Sequence, residues 1–233
     1  MSGSKAKLYL VSTPIGNLED ISKRALRILN EVDLIAAEDT RRTGKLLAAY
    51  NIKKKTISYR DYNKEIQAKN LIKRLENGES IALVSDSGTP CISDPGYYLV
   101  KLSIKENIEV VPIPGASSIL AGLIVSGLPT DRFVFEGFLP RKKKKREKRF
   151  RSLIDEDRTI IIFESPHRLV RTFKEILHYF GDVNIVVCRE LTKKFEEVRR
   201  DRVSNLLAHY AKETPRGEFV VYFRKNGLHE TQV

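Results

Sequence analysis

The chain has 233 residues, and 42 Lys and Arg against 30 Asp and Glu give it a formal net charge of +12 at pH 7. Nine basic residues and one acidic residue fall within 141–151, so this short segment carries a net +8, which excludes a uniformly cationic, histone-like protein and favours a localised site for a polyanion. The hydrophobic content of 41% excludes wholesale disorder, and no apolar stretch reaches the length of about 18 residues that a membrane span needs.

Strand-like and helix-like patterns alternate through the first half of the chain. Asp20 is predicted to cap a helix whose apolar residues recur at helical spacing as far as Leu29. Further helices are expected around 45–50, at 64–76 and after each of the last two strands. Apolar runs of strand length predict β-strands at residues 8–11, 34–37, 56–59, 81–84 and 110–113. This alternation predicts a largely parallel sheet with helices on both faces.

The second half carries strand and helix patterns of its own. Helices are predicted at 167–180 and near 205–212. Strands are predicted at residues 133–138, 159–163, 185–188, 196–203 and 218–223. The last two strands alternate in the manner of half-buried strands and fit antiparallel pairing. We therefore predict a two-domain α/β protein, with a mostly parallel sheet in residues 1–118 and a mixed sheet in residues 119–233.

Three loops of the first half follow predicted strands, where open α/β sheets bind ligands. In the loop 85–96, Gly88 lets a ligand approach the backbone and Asp86 could bind ribose hydroxyls, although a turn and a helix cap would explain the same residues. The small residues of 113–118 could lie against a flat ligand, and loop 12–20 is informative only beside the other two. Carboxylates with small residues suit a nucleoside-like ligand without phosphates.

Motifs that the chain lacks exclude several common sites. There is no phosphate-binding P-loop, no dinucleotide fingerprint and no Gly-x-Ser-x-Gly elbow of a serine hydrolase. Cys91 and Cys188 are too few for a disulfide framework, so a reducing cytoplasm is expected. The histidines share no spacing typical of metal ligands, and no metal site is predicted.

Taken together, the loops resemble those of the tetrapyrrole-methylase superfamily, and within it the small-subunit ribosomal RNA methyltransferases. The resemblance runs from about residue 8 to residue 224. It rests on seven motifs in the same order, at residues 12–20, 37–41, 85–96, 112–118, 163–168, 189–192 and 216–219. It implies two α/β domains with S-adenosylmethionine bound in the cleft between them, 2′-O-methylation of a cytidine in the decoding region of small-subunit rRNA, and a homodimer. Either free rRNA or the assembled small subunit fits as the substrate.

Carried over residue by residue, the resemblance implies a cofactor site drawn from both halves of the chain. One tetrapeptide departs from the family pattern, because residues 60–63 read Arg-Asp-Tyr-Asn where family members carry His-Glu-His-Asn. The implied cofactor contacts are Pro14, Ile15, Asp86, Ser87, Gly88, Ser117, Ser118, Glu164 and Leu191.

The implied reaction needs a group that accepts a proton, since a ribose 2′-hydroxyl is a poor acid. The carboxylates at loop positions are Glu164, Asp94 and Glu190. Glu164, which directly follows a buried strand, is the predicted catalytic residue, as a polar group near the reacting hydroxyl.

The basic segment is expected to hold RNA phosphates, which provide affinity and orientation rather than base recognition. The alternative is a flexible, solvated linker between the domains. The predicted RNA-binding residues are Arg141, Lys142, Lys143, Lys144, Lys145, Arg146, Lys148, Arg149 and Arg151.

Two other functions stay open at this point. A methylase of a small macrocyclic tetrapyrrole would use the same fold, although such a substrate needs no long cationic tract. A non-catalytic RNA-binding factor for ribosome assembly would keep the basic segment without the chemistry.

Overall fold

The computed structural model describes residues 6–225. The chain divides into two compact units, Met1–Ser117 and Ser118–Val233, one residue before the boundary placed from the sequence. Within the described residues, no helix combines the length and the apolar character that a membrane crossing requires.

The first unit is built on a five-stranded sheet in which all strands are parallel, as predicted. The strand order is β3-β2-β4-β1-β5. Its elements, in chain order, are β1 Lys7–Val11, α1 Lys23–Glu31, β2 Leu34–Ala37, α2 Thr40–Ala49, β3 Thr56–Ser58, α3 Lys64–Glu76, β4 Ile81–Val84, α4 Gly96–Lys105 and β5 Glu109–Ile113.

Alternate residues of the central strands face opposite sides of this sheet and meet different helices. In β2, Leu34 and Ala36 pack in a cluster with residues of α3 and α4, whereas Ile35 and Ala37 pack with residues of α1 and α2. All four residues of β2 are buried, as are all four of β4. The side-chain period of two in a strand therefore provides both cores, with helices on both faces.

Two helix starts differ from the predictions. Asp20 lies in a single 3₁₀ turn, and the cap of α1 is Ser22, whose hydroxyl accepts the Ala25 N–H at 3.0 Å. Helix α2 begins five residues before the predicted position, because Asp39 accepts the Arg41 N–H at 2.9 Å and caps a first turn that carries almost no apolar residues.

The second unit holds a mixed five-stranded sheet, as predicted, in the order β6-β7-β10-β8-β9. Strands β6 and β7 are parallel and the other neighbours are antiparallel. Its elements are α5 Ser118–Ser126, β6 Phe133–Phe138, α6 Lys143–Ser152, β7 Thr159–Glu164, α7 Pro166–Phe180, β8 Asn184–Arg189, β9 Glu197–Arg202, α8 Val203–Lys212 and β10 Phe219–Phe223. The expectation that the last strand is half-buried is wrong, because β10 is central and all five of its residues are buried.

A glycine allows α5 to pack closely on one face of this second sheet. Tyr222 of β10 is fully buried, and its hydroxyl donates to the backbone oxygens of Ser118 at 2.8 Å and Ile119 at 3.2 Å. A Cβ atom at Gly122 would lie 2.1 Å from the Tyr222 hydroxyl oxygen. Any larger residue at Gly122 must therefore displace the ring or the helix.

We expect Gly122→Ala to lower the free energy of unfolding by about 1–3 kcal/mol, the usual cost of overpacking a core. The matched control is Gly44→Ala in α2, where nothing lies within 4 Å of the added Cβ. The higher helix propensity of alanine should raise the free energy of unfolding of this variant by at most about 1 kcal/mol. Urea denaturation of both variants measures the two effects. Equal shifts of the same sign would contradict the packing argument.

Candidate functional site

Backbone hydrogen bonds join the loops that follow β1, β4 and β5. Thr13 and Gly88 exchange two of them, with N–H to oxygen distances of 2.9 and 3.1 Å. Ser12 N–H donates to the oxygen of Ile113 at 3.1 Å, and the Ser12 hydroxyl lies 3.1 Å from the hydroxyl of Thr89. The three loops that were singled out in the sequence therefore form one structure at the carboxyl edge of the first sheet.

Two glycines permit this close approach. Gly88 has φ +76°, and a Cβ on it would lie 3.2 Å from the Ile15 side chain. A Cβ on Gly115 would lie 2.8 Å from Ser12 Cβ. Of the predicted cofactor residues, the structure brings six into these loops of the first unit, namely Pro14, Ile15, Asp86, Ser87, Gly88 and Ser117.

Three polar atoms of these loops are buried and have no hydrogen-bond partner within residues 6–225. They are Oδ1 of Asp86, Oγ1 of Thr13 and Oδ2 of Asp94. The other carboxylate oxygen of Asp86 lies 3.5 Å from Arg42. A buried acceptor without a donor is costly, so these atoms fit a ligand that brings hydroxyl donors, such as a ribose.

Glu38, which was not among the residues predicted from the sequence, adds a carboxylate beside Asp86 at this edge of the sheet. It directly follows the buried strand β2, the same signal that marked Asp86, and it accepts the Asp86 N–H at 3.3 Å. Burial raises the pKa of Glu38, the N–H bond lowers it, and the nearby carboxylates, Asp86 foremost, raise it further, for a net rise. Among the described residues, no group of three or more His, Cys, Asp and Glu could hold a metal ion.

Residues 60–63, which differ from the family pattern, make hydrogen bonds and an ion pair with the residues that follow β2. Arg60 Nε donates to the backbone oxygen of Glu38 at 2.7 Å, and its guanidinium lies 3.4 Å from Asp39. Asn63 accepts the Arg60 N–H at 2.7 Å and donates to the backbone oxygen of Ser58 at 3.3 Å. In this chain the segment therefore braces the strand ends through an arginine.

Left-handed backbone conformations mark two of the predicted ligand loops. Apart from glycine and two asparagines, the described residues with positive φ are Cys91, Ser93, Glu190 and Thr192. Asparagine adopts this region readily, whereas other residues do so at a cost of about 1 kcal/mol or more. Such conformations concentrate at ligand sites, so the four residues point to the loops 85–96 and 189–192.

In the second unit, Leu191 lies in a loop that is fastened to the motif 216–219. The Glu190 N–H donates to the backbone oxygen of Glu218 at 3.0 Å, and the Glu190 side chain accepts the Glu218 N–H at 2.8 Å. A Cβ on Gly217, which has φ +98°, would lie 2.6 Å from Glu190 Cγ. Burial raises the pKa of Glu190, but the Glu218 N–H and Lys193 outweigh it and the net shift is downward.

Glu164 does not fit the predicted role beside the reacting hydroxyl. Its side chain is fully buried, and its carboxylate has four partners within the second unit. They are Arg146 at 3.2 Å, Arg168 at 2.7 Å, Thr172 at 2.5 Å and the N–H of Ser165 at 2.8 Å. A carboxylate whose oxygens are all engaged has no acceptor left for a substrate proton.

The basic segment is a helix over most of its length, so the alternative of a flexible linker is wrong. Helix α6 covers Lys143–Ser152, and Phe150 is fully buried in the core of the second unit. The prediction that Arg146 binds RNA is also wrong, because its side chain is 1% exposed and pairs with Glu164 and Glu175. The sequence could not distinguish this arginine from its neighbours.

The remaining cations of the segment are all exposed. Arg149 pairs with Glu136, and Lys143 lies 3.9 Å from Glu147. The cations that make no ion pair with any carboxylate in the part of the chain described are Arg141, Lys142, Lys144, Lys145, Lys148 and Arg151. These six are the groups available to a polyanion.

Comparison with known proteins supports the interpretation of both units. Residues 7–207 match the family model described as Tetrapyrrole (Corrin/Porphyrin) Methylases. The Synechocystis protein named Ribosomal RNA small subunit methyltransferase I is 51% identical over 213 residues, which cover 91% of this chain and 76% of the relative. The Thermotoga maritima protein of that name is 48% identical over 215 residues, which cover 92% and 96%.

Solved structures share the fold at much lower identity. Uroporphyrin-III C-methyl transferase from Thermus thermophilus, complexed with S-adenyl homocysteine, has a TM-score of 0.67 and 18% identity. The match covers 95% of this chain and 99% of that one.

Asp94 differs from Glu164 because one of its carboxylate oxygens has no partner, and from Glu190 because its pKa is raised rather than lowered. Its Oδ1 accepts the Gly96 N–H at 2.7 Å, whereas Oδ2 is buried and has no partner in the described structure. Burial raises the pKa of Asp94, the backbone N–H groups of its loop lower it, and the charge of Asp61 raises it, for a net rise. Asp94 therefore holds its proton to a higher pH in the folded protein than an ordinary carboxyl group does.

We expect Asp94→Asn to become more stable relative to the unsubstituted protein as the pH rises. A carboxyl group with a raised pKa disfavours folding once it ionises, so the unsubstituted protein loses stability between the unfolded and folded pKa values, and the variant, whose amide does not ionise, keeps it. Melting temperatures between about pH 3 and pH 7 measure the difference.

Asp39→Asn is the control of opposite sign. The Arg41 side chain and backbone hold the pKa of Asp39 at about 2. Asp39 therefore stabilises the fold above its unfolded pKa, and its variant should become relatively less stable as the pH rises. A pH-independent difference for Asp94→Asn would contradict the raised pKa of Asp94.

Proposed function

Because this chain belongs to the tetrapyrrole (corrin/porphyrin) methylase family, we propose that it transfers a methyl group from S-adenosylmethionine to small-subunit ribosomal RNA. The acceptor that we propose is the 2′-oxygen of a cytidine in the decoding region. The observation that carries the RNA substrate is the exposed row of unpaired cations on α6, together with relatives named for that substrate at 51% and 48% identity.

The residues of the strand-end loops fit S-adenosylmethionine. When bound, the cofactor supplies an electrophilic methyl group on its sulfonium. Oδ1 of Asp86 would accept hydrogen bonds from the ribose hydroxyls, and Gly88 would let the ligand lie against the backbone. Ser117 and Ser118 have hydroxyls suited to the edge of an adenine. The proposed set is completed by Pro14, Ile15, Ser87, Leu191 and the backbone of Glu164.

Asp94 takes the place of Glu164 as the proposed proton acceptor. Glu164 and Glu190 are engaged by cations and N–H groups, whereas Oδ2 of Asp94 is unpartnered within the described residues. A raised pKa also makes Asp94 a stronger base than an ordinary carboxylate. Its role would be to receive the proton of the 2′-hydroxyl as the oxygen takes the methyl group.

The exposed cations of α6 would hold the phosphates of the RNA. Contacts to phosphates give affinity and strong salt dependence, while base recognition must come from other residues. Phe150 cannot stack on a base from its buried position. The proposed homodimer rests on the family resemblance, and sedimentation of the purified protein tests it. The proposed cytoplasmic site of action rests on the two cysteines, Cys91 and Cys188, neither of which forms a disulfide.

Labelled S-adenosylmethionine supplied with small ribosomal subunits from cells lacking the enzyme should give alkali-resistant label in the rRNA, since 2′-O-methylation blocks alkaline cleavage at that nucleotide. Mapping the label gives the nucleotide, and free rRNA in a parallel reaction shows which substrate form is used. Asp94→Asn should lower turnover at saturating substrates without weakening cofactor binding.

Calorimetry and methyl-transfer assays distinguish the rival functions. The absence of any heat of S-adenosylmethionine binding in calorimetry would favour the non-catalytic assembly factor. Transfer to a macrocyclic tetrapyrrole and not to RNA would favour the small-molecule methylase. Label on a base rather than on a ribose would remove the 2′-O assignment alone.

Replacing Lys142, Lys144 and Lys145 with Ala should flatten the salt dependence of RNA binding. Each phosphate contact to single-stranded RNA adds about 0.7 to the slope of log K against log salt, so three lost contacts lower it by up to about 2. The matched control replaces Lys53, Lys54 and Lys55 of the first unit, which removes the same charge. An equal change of the salt slope in both triple variants would contradict a phosphate-binding site localised to the basic segment.

A further inference from the structure

We infer that Arg146 is a positioning residue, which anchors the basic helix α6 to β7 and α7 and so presents the exposed cations to RNA in one orientation. The inference rests on the proposed RNA-binding function. Arg146 is the one cation of residues 141–151, all of which the structure describes, whose side chain is buried.

The guanidinium of Arg146 reaches two elements at once. Its Nη2 lies 3.2 Å from a carboxylate oxygen of Glu164, at the end of β7, and 2.6 Å from the hydroxyl of Thr172 in α7. Its Nε lies 2.5 Å from Glu175, also in α7. The guanidinium carbon lies 5.5 Å from the centre of the Phe150 ring. The planar fork of arginine meets all these partners together, whereas the single ammonium of a lysine cannot.

The partners of Arg146 are held in place independently of it. Glu164 is also bound by Arg168 at 2.7 Å, and Glu175 by Arg171 at 3.1 Å. The two carboxylates therefore form a fixed receptor on β7 and α7 into which the side chain from α6 fits. A second ion pair, between Arg149 and Glu136 of β6, ties the same helix to the neighbouring strand.

The anchor determines which face of α6 meets the solvent. Arg146 and Phe150, four residues apart, lie on one face, and both are buried. Lys144, Lys148 and Arg151 follow the spacing i, i+4 and i+7 on the opposite face, and all three are exposed. They are separated by about 6 Å and 4.5 Å along the helix axis, which makes them a continuous cationic stripe. Apart from Phe150, the helix consists of charged residues and Ser152, so little apolar packing could replace the anchor.

The test is Arg146→Lys, which keeps the charge of the helix but replaces the planar guanidinium, which contacts Glu164, Thr172 and Glu175 together, with a single ammonium group. We expect RNA affinity at low salt to fall at least about fivefold and the salt slope to fall by about 1 to 2, as the stripe loses phosphate contacts. Arg24→Lys, at an exposed residue of helix α1 in the first unit, is the matched control and should bind RNA as the unsubstituted protein does. All measurements are made below the melting temperatures of the variants, where a purely structural role would leave the slope unchanged.

Glu175→Gln provides a second, independent test, which also covers the case that Arg146→Lys does not fold. It removes a negative charge, so simple electrostatics predicts tighter RNA binding. Loss of the anchor predicts weaker binding and a shallower slope, although Arg146 keeps Glu164 and Thr172. Hydrogen exchange of the amides of 143–152 should accelerate in the same variants.

The outcomes separate this inference from the proposed function. If the triple lysine variant binds RNA with a flattened slope while Arg146→Lys and Glu175→Gln behave like the unsubstituted protein, the positioning role is wrong and the RNA site stands. If neither the unsubstituted protein nor any variant binds RNA in a salt-dependent manner, both are wrong.

Discussion

The reciprocal backbone pairing of Thr13 with Gly88 is the interaction on which the strand-end site of the first unit depends. It is an isolated bridge outside the strands, and it draws two loops together at the edge where parallel strands end. The backbone groups satisfy one another there, so the side-chain acceptors of Asp86 and Thr13 are left buried without donors. Each such group costs about 1–3 kcal/mol, which a ligand with hydroxyl donors would recover. The close pairing of the two loops therefore also leaves the buried acceptors that a ligand with hydroxyl donors would satisfy.

The second unit contains a buried network of charged side chains centred on Glu164. Removing Glu164, Arg146 and Arg168 from water is costly, and only mutual pairing with good geometry offsets that cost. A carboxylate held in this way has no oxygen free for catalysis. The network instead links the helix that carries the cations to the end of β7, and it does so through the one residue type that can contact several acceptors in a plane.

The strands were predictable where burial on both faces leaves a continuous apolar run. The bounds predicted for 34–37 and 81–84 coincide with those of β2 and β4, in which every residue is buried. The start of α2 was missed because its first turn is polar and is followed by Gly44, so only the cap at Asp39 marks it. The burial of β10 was underestimated because a strand's place in the sheet depends on partners that are distant in the sequence.

The candidate site was predictable in its loops but not in the state of each side chain. Position after a buried strand singled out Asp86, and the same signal applied to Ala37–Thr40 would have found Glu38. Glu164 carries that signal too, yet its partners are residues 146, 168 and 172, and only the folded structure shows that they engage it. A carboxylate at a strand end can therefore serve a ligand or a buried cation, and position alone does not distinguish them.

The formal charge of the basic segment overstates its capacity for a polyanion. Of its nine cations, Arg146 is buried, and Arg149 and Lys143 lie near carboxylates, which leaves six. Because each phosphate contact contributes separately to the salt dependence, the relevant quantity is this number and the face on which the cations lie. Three of the six form a stripe on the face of α6 opposite Arg146, so the cations that a polyanion could reach lie on the face that the buried arginine leaves exposed.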